Sequence, residues 1–199
     1  MDILLTGGSG RLGTAIQKQI KCVAPSHKEL DVLDFKSCEK AIKKYKPDIV
    51  IHCAGYVNSL KAEIETSECW ELNVLGTLNM ALSSTNIRFI YISTDYVFDG
   101  KKGNYTEEDE PHPLNWYGST KLCGEQTIHN DNSLIIRTAF KNLVNGKFEH
   151  DKAFTDQWTS GEFIDKRATD IIKLALSDET GIINVGGKRQ TVYKMIKKI

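Results

Sequence analysis

An excess of either charge is missing from this chain. Lys plus Arg and Asp plus Glu both number 26 in 199 residues, so the formal net charge is zero. Without a net field there is no global attraction for nucleic acid or an anionic membrane surface, and neither is expected as a partner. Cysteines are few and odd in number, Cys22, Cys38, Cys53, Cys69 and Cys123, with no CxxC pair among them. That excludes the common zinc spacings and a complete disulfide framework, and it reads as reduced thiols in a cytoplasm. No uncharged run has the length of a bilayer span; Ile49 to Leu60 is short and contains His and Asn. Met1 to Thr6 enters a strand-like run without a charged n-region, an h-region or a cleavage site, so no leader is expected. Short-period repeats and low-complexity tracts are absent as well.

What is present is ordinary globular composition, 40% apolar and 26% charged, which argues against disorder and coiled coil. The length suits one domain, or one domain with a small appendage. Short runs rich in Ile and Val stand out at Ile3–Thr6, Cys22–Pro25, Ile49–Ala54, Phe89–Ser93, Leu134–Arg137 and Ile182–Val185. Their apolar continuity fits strands buried on both faces. Helical stripes lie between them: Leu12, Ala15, Ile16 and Ile20; Ala168, Ile171, Ile172 and Ala175; and Val192, Met195, Ile196 and Ile199. Strand and helix in alternation predict an α/β fold, a doubly wound parallel sheet covered by helices on both sides. Two loops interrupt the alternation. Asp99 to Asn115 carries Pro111, Pro113 and the acidic run Glu107 to Glu110, which reads as a solvated loop and not as a metal site. Asn142 to Ile164 is polar and aperiodic.

Chemistry enters with Thr6-Gly7-Gly8-Ser9-Gly10-Arg11-Leu12-Gly13, directly after the first strand and opening the first helix. Glycines there permit a tight turn, close approach of backbone to a pyrophosphate and close packing of helix on strand. The helix N-terminus adds N–H groups and the positive end of its dipole. The strand–turn–helix setting makes this a dinucleotide site of Rossmann type, and the missing Lys-Ser or Lys-Thr excludes a P-loop. Residues 1–141 are therefore expected to form the NAD(P)-binding domain. Residues 142–199 would be a small, reduced substrate region that does not fold by itself. At the end of the second strand, Ser26, His27 and Lys28 are suited to a 2′-phosphate, while Glu29 or Asp31 remains available for ribose hydroxyls. NADP is favoured and NAD stays open.

The second signal is Tyr117-Gly118-Ser119-Thr120-Lys121. On a helix Tyr117 and Lys121 are i and i+4 and face the same way. A phenol with a pKa of about 10 is a weak acid–base catalyst at neutral pH, and a cationic neighbour brings it nearer range. Ser93-Thr94 ends an apolar strand upstream. Asn73, polar within an apolar helical stretch, would mark a backbone kink, hold a relay water or be a satisfied core amide. The histidines, His52 included, have no evident partner set and read as structural.

Together the glycine turn, Ile92-Ser93-Thr94-Asp95-Tyr96-Val97-Phe98-Asp99-Gly100 and Tyr117-Gly118-Ser119-Thr120-Lys121-Leu122-Cys123-Gly124-Glu125 resemble the extended short-chain dehydrogenase/reductase superfamily. Within it they are most similar to the dTDP-4-dehydrorhamnose reductase family. Glu29-Leu30-Asp31-Val32, Ala54-Gly55-Tyr56 and Leu72-Asn73-Val74 fit as well, and Asp95-Tyr96 departs from the Asp-Glu pair of the sugar dehydratases. The resemblance implies that Tyr117 protonates a C4 carbonyl oxygen while nicotinamide delivers hydride. Lys121 would lower the phenol's pKa and bind the nicotinamide ribose, Thr94 would hydrogen-bond the same oxygen, and Asp95 would contact the sugar. It also places Gly7, Gly10, Arg11, Leu12 and Gly13 at the pyrophosphate, Asp31 and Val32 at the adenine, and Ala54, Gly55 and Tyr56 at the middle of the cofactor.

The resemblance is dense to about residue 140 and weak afterwards. Where the reductases continue as Arg-Thr-Ser-Trp, this chain has Arg137-Thr138-Ala139-Phe140-Lys141-Asn142, so Phe140 is left to stack beneath the sugar. The expected function is an NADP-dependent reductase of a nucleotide-linked 4-keto-6-deoxy sugar in surface polysaccharide synthesis. A second copy or a partner subunit would complete a shallow cleft. The alternatives are a non-catalytic NADP-binding regulatory or scaffold subunit, and a sugar-nucleotide epimerase holding NAD throughout its cycle.

Overall fold

Four runs before residue 140 become buried strands: β1 (Ile3–Thr6), β2 (Ile49–His52), β3 (Arg88–Thr94) and β4 (Ser133–Thr138). A fifth, β5 (Gly181–Val185), completes a sheet of order β1-β2-β3-β4-β5 in which every pairing is parallel. The structure, a computed structural model, describes residues 1–141, 143–144, 147–148 and 153–197, without the side chains of 143–144 and 147–148. The main helices are α1 (Arg11–Gln17), α2 (Phe35–Tyr45), α3 (Gly76–Ser83), α4 (Trp116–Gln126), α5 (Ile164–Ala175) and α6 (Val192–Ile196).

Successive side chains of a strand point to opposite faces, and the core divides accordingly. Ile3, Leu5, Ile49, Ile51, Ile90, Ile92, Leu134 and Ile136 line one face, covered by Leu12, Ala15 and Ile16 of α1 and by Ala168, Ile171 and Ala175 of α5. Leu4, Val50, Phe89, Tyr91 and Ile135 line the other, covered by Cys38 and Ala41 of α2 and by Met80 and Ala81 of α3. This is the doubly wound layer that the alternation predicts.

Two elements differ from the sequence reading. In Cys22–Pro25 only Val23 pairs, alongside Leu4, with its N–H on Ile3 O and its carbonyl on Leu5 N–H, both at 2.8 Å. It lies at the sheet edge with one neighbour, and Pro25 has no N–H to extend the ladder. Helix α2 arises in a Lys-rich stretch whose apolar positions, Cys38, Ala41, Ile42 and Tyr45, are too sparse to stand out. Its start is set by Asp34, whose side chain accepts from Lys36 N–H at 3.0 Å, and its end by Lys46 in the left-handed region at φ 43°.

Residues beyond 141 supply both β5 and α5 to the main layer, so a boundary at 141/142 runs through the sheet. Outside the sheet stand three pairs of two-residue strands. Phe140–Lys141 lies parallel to Glu162–Phe163; Leu143–Val144 pairs antiparallel with Lys147–Phe148, and Trp158–Thr159 with Gln190–Thr191. Of the last apolar stripe Val192 and Met195 are buried; Ile199, like Asn142 at the start of the polar loop, lies outside the described residues. The acidic loop is tied down rather than merely solvated. Asp109 accepts from Thr106 N–H at 2.7 Å and pairs with Lys102, and Glu107 accepts from Asn184 N–H on β5 at 2.7 Å. Among the described residues no His/Cys/Asp/Glu group suits a metal ion and no helix is long and apolar enough to cross a membrane. All five cysteines are free thiols.

Candidate active site

A parallel sheet puts the carboxyl ends of all its strands on one edge, where ligands of such folds bind. Here that edge carries Thr6, His52, Thr94, Thr138 and Val185. The glycine turn leaves β1 with Gly7 at φ +67°, and a Cβ there would fall 2.6 Å from Ala54 N. A Cβ on Gly13 would fall 2.3 Å from Gly7 O. Only glycine lets the turn lie against the end of β2 and lets α1 lie against the turn. Gly10 is the N-cap of α1 and has no side chain to close it; a Cβ there would meet Gly7 O alone, at 3.2 Å. The space over Gly10 and Arg11 is thus a cradle that fits a pyrophosphate against helix N–H groups.

The loop after β2, Ala54-Gly55-Tyr56, is pinned from both sides. Thr6 Oγ1 accepts from Ala54 N–H at 3.1 Å. Asn73 Oδ1 accepts from Tyr56 N–H at 2.8 Å, and its Nδ2 donates to Tyr56 O at 3.1 Å and to Thr120 Oγ1 at 3.0 Å. Asn73 lies in a π-turn, Glu71–Leu75, between Thr66–Trp70 and α3. It is therefore both at a kink and a satisfied amide, and it joins the loop to α4, a link that sequence spacing does not reveal. The Tyr56 hydroxyl is bound to Glu65, which pushes it up to about 12. His52 is structural: fully buried between Phe89 and Tyr91, it contacts Thr6 Oγ1 at 2.8 Å and Thr77 Oγ1 at 3.3 Å. Burial, with the nearby charge of Lys121, draws its pKa down to about 3.

At the expected adenine end Val32 is buried against Gly76, and Asp31 Oδ1 accepts from Leu33 N–H at 2.9 Å. Ser26 is already engaged. Its N–H and hydroxyl donate to Glu29 Oε2 at 3.0 and 2.9 Å, and those bonds hold the Glu29 carboxyl below the usual range. A 2′-phosphate reaching Ser26 has to displace this carboxylate, which leaves exposed Lys28 as the cation of the turn.

The expected reacting groups meet at the end of β3. Thr94 Oγ1 accepts from Tyr96 N–H at 3.2 Å and caps a short 3-10 turn, Asp95–Val97. The first turn of α4 lies directly on it: a Cβ on Gly118 would fall 2.3 Å from Tyr96 O. Asn115 caps α4 by accepting from Gly118 N–H at 2.7 Å. This close approach brings the Tyr117 hydroxyl under the influence of the Thr94 side chain. It also sets the Tyr117 ring edge-on to Tyr96, with centroids 5.8 Å apart. Burial raises the Tyr117 phenol, the nearby Thr94 side chain opposes the rise, and Asp95 and Tyr96 add to it. Asp95 is itself raised by burial against the opposing charge of Lys141.

Lys121 follows one turn later, only 6% exposed, with Nζ 4.0 Å from the centroid of the Tyr91 ring. Burial draws its pKa down to about 7, against the charge of Glu125 one turn further on. The groups acting most on Tyr117 are thus Thr94 and Asp95 and not Lys121, because the ammonium faces the Tyr91 ring. Glu125 forms a buried pair with Arg137, with Nε–Oε1 at 3.0 Å and Nη2–Oε2 at 2.7 Å, and accepts from Ser93 Oγ. Phe140 is half-buried against the α1 side of the core, and among the described residues no ring contact joins it to Tyr117.

Comparison with known proteins agrees with this architecture. The RmlD substrate binding domain family model matches residues 1–152. Methionine adenosyltransferase 2 subunit beta of Rattus norvegicus is 35% identical over 144 residues, 65% of this chain and 43% of that protein. dTDP-4-dehydrorhamnose reductase of Aggregatibacter actinomycetemcomitans is 31% identical over 199 residues, 93% of this chain and 62% of that protein. The chain thus spans less than two-thirds of the length of either relative. Among solved structures, dTDP-4-dehydrorhamnose reductase of Bacillus anthracis in complex with NADP superposes with a TM-score of 0.90 at 27% identity, over 100% of this chain and 80% of that one. The chain belongs to the RmlD substrate binding domain family.

Proposed function

We propose that this protein is an NADP-dependent reductase of a nucleotide-linked 4-keto-6-deoxy sugar. The observation that carries the reading is the meeting of Tyr117 with Thr94 and Asp95 at the carboxyl end of β3, with Lys121 one helical turn away. A phenol kept above its ordinary range remains protonated at neutral pH and is available as the proton donor to a ketone oxygen. Thr94 donates a second hydrogen bond to that oxygen as negative charge develops there. Asp95 contacts sugar hydroxyls, and Phe140 borders the ring. The reduced cofactor, NADPH, would supply the hydride when bound.

Gly7, Gly10, Arg11, Leu12 and Gly13 hold the pyrophosphate, and Asp31 and Val32 border the adenine. Ser26 and Lys28 take the 2′-phosphate, and Ala54, Gly55 and Tyr56 line the middle of the site. Lys121 binds the nicotinamide ribose beside Tyr117. The NADP bound to the B. anthracis reductase supports the choice of cofactor, and free thiols suit a reducing cytoplasm. The strands and loops outside the sheet form a reduced substrate region, with a further subunit completing the cleft.

The test is NADPH oxidation with dTDP-4-keto-6-deoxy sugars, with Tyr117→Phe as the blank. Turnover falls by about 10²–10⁴-fold in the variant, while NADPH affinity stays within about twofold. The likeness to the methionine adenosyltransferase subunit favours a second reading, a non-catalytic NADP-binding subunit. NADPH binding with no turnover by the wild type on any keto-sugar nucleotide would select it.

A further inference from the structure

Tyr91 lies in β3, fully buried, and the reaction as read above leaves it unused. Helix α4 packs directly on it. Gly124 permits this approach, because a Cβ there would fall 2.4 Å from Tyr91 Oη. The Tyr91 hydroxyl reaches Lys121 O at 3.4 Å, and Nζ of the same lysine stands 4.0 Å from the centroid of the Tyr91 ring.

A buried ammonium is costly unless something answers its charge. Among the described residues Lys121 forms no ion pair. The titratable groups around it are His52 at the end of β2, Cys53 just beyond, Cys69 of Thr66–Trp70, and Tyr117 and Glu125 of α4. Burial keeps His52 neutral and raises the thiols of Cys53 and Cys69 and the Tyr117 phenol, so these four carry no charge at neutral pH. Glu125 is the anion among them, but Arg137 and Ser93 already hold its carboxylate, so it acts on Lys121 from a distance. The negative face of the Tyr91 ring is in direct contact, and cation–π attraction is strongest where water is excluded.

We propose that Tyr91 is a positioning residue of the reaction centre: its ring face seats the Lys121 ammonium and keeps it charged for the nicotinamide ribose, with Glu125 as the more distant counter-charge. The inference rests on the reading above in which Lys121 binds that ribose. An ammonium donates hydrogen bonds to ribose hydroxyls and cannot be replaced there by the neutral amine without loss of a charge-assisted bond. Whatever holds Lys121 charged therefore sets the pH range over which the cofactor is gripped.

The test follows Lys121 in the full chain by nuclear magnetic resonance of carbon-13-labelled lysine, its signal assigned by its loss in Lys121→Met. In the wild type the ε-methylene protons of Lys121 lie upfield of the other lysines, in the ring current of Tyr91; a signal among the other lysines overturns the proposal without any further variant. Tyr91→Leu keeps the bulk and removes the π face, and it lowers the Lys121 titration midpoint by about one pH unit. Tyr91→Phe keeps the face, and its midpoint stays within about 0.3 of the wild type. A merely structural role for Tyr91 would lower the urea midpoint of Tyr91→Leu and leave the Lys121 titration where it is, and that result overturns the proposal. NADPH affinity, measured against pH, weakens as Lys121 loses its proton, and in Tyr91→Leu this fall begins about one pH unit lower. If the Lys121 midpoint moves in Tyr91→Leu while no keto-sugar is turned over by the wild type, the reductase reading fails and the seat of Lys121 on Tyr91 stands.

Discussion

In the sheet, β1, β2 and β4 bury every residue, whereas Phe154, Trp158 and Tyr193 in the rim beyond it are 69, 53 and 44% exposed. Polar groups follow the same division. Within the layer Glu125 meets Arg137 and Ser93, His52 meets Thr6 and Thr77, and Asn73 meets Tyr56 and Thr120. In the rim, Lys188, Arg189 and Lys194 face an open recess. Burying an unpaired polar group is costly, so a layer closed on both faces has to answer its own donors and acceptors. A rim open to water has no such obligation, and there the cations of Arg189 and Lys197 lie over the exposed rings of Trp158 and Tyr193. The candidate reaction centre lies at the boundary: Thr94 and Lys121 are buried, Tyr117 and Asp95 only partly.

The largest effect is expected where a buried charge loses its partner. Glu125→Gln leaves the Arg137 guanidinium uncompensated and lowers stability by about 3–5 kcal/mol in urea denaturation. Lys188→Gln in the rim should stay within about 0.5 kcal/mol; comparable losses would break the contrast. The next effect is steric. Gly118→Ala puts a methyl 2.3 Å from Tyr96 O and should cost about 1–3 kcal/mol. At Gly186 the added methyl stands 3.4 Å from Ser160, ordinary contact, so Gly186→Ala should leave Tm nearly unchanged.

A pH series sharpens the same comparison. Folding lowers the His52 pKa from 6.5 to about 3, so between those values the unfolded chain binds the extra proton. Its contribution to stability is complete above pH 6.5 and is lost on acidification toward pH 3, with a slope approaching 1.4 kcal/mol per pH unit, roughly. Urea midpoints of wild type and His52→Asn should therefore converge as the pH falls through this window; parallel curves would mean that His52 is not held neutral. The smallest effect concerns cofactor choice. Glu29→Gln removes the exposed carboxylate on Ser26 and should raise the preference for NADPH over NADH by roughly two- to fivefold, measured by fluorescence titration. An unchanged ratio would take the 2′-phosphate away from this turn.

Much of the layer was legible in the chain because its signals are local. Ile3–Thr6 and the run ending in Ser93-Thr94 announce buried strands by apolar continuity, and Gly7 and Gly13 announce the tight turn by having no side chain. The segment around Val23 read as a full strand, yet its edge position leaves one pairing. Helix α2 was not legible because a lysine-rich surface helix buries only a thin stripe. Lys121 was correctly placed one turn from Tyr117, but its ammonium is directed by the Tyr91 ring, a neighbour 30 positions away. Ser26 looked open to a phosphate until folding brought Glu29 onto its hydroxyl.

By itself the sequence determined which segments become the five strands of the sheet, where the turn after β1 requires glycine and which residues lie one helical turn apart in α4. Those properties depend on backbone periodicity and on residues close together in the chain. Only the tertiary structure decided that Arg137 answers Glu125, that Asn73 holds Tyr56 against α4 and that Trp158 shares a recess with Lys188 and Arg189. Each of these depends on distances between residues that the chain keeps apart and the parallel sheet brings to one edge or one face. The same physics sets the state of Tyr117: burial raises the phenol, and Gly118, having no Cβ, lets its helix lie directly on Tyr96 at the end of β3.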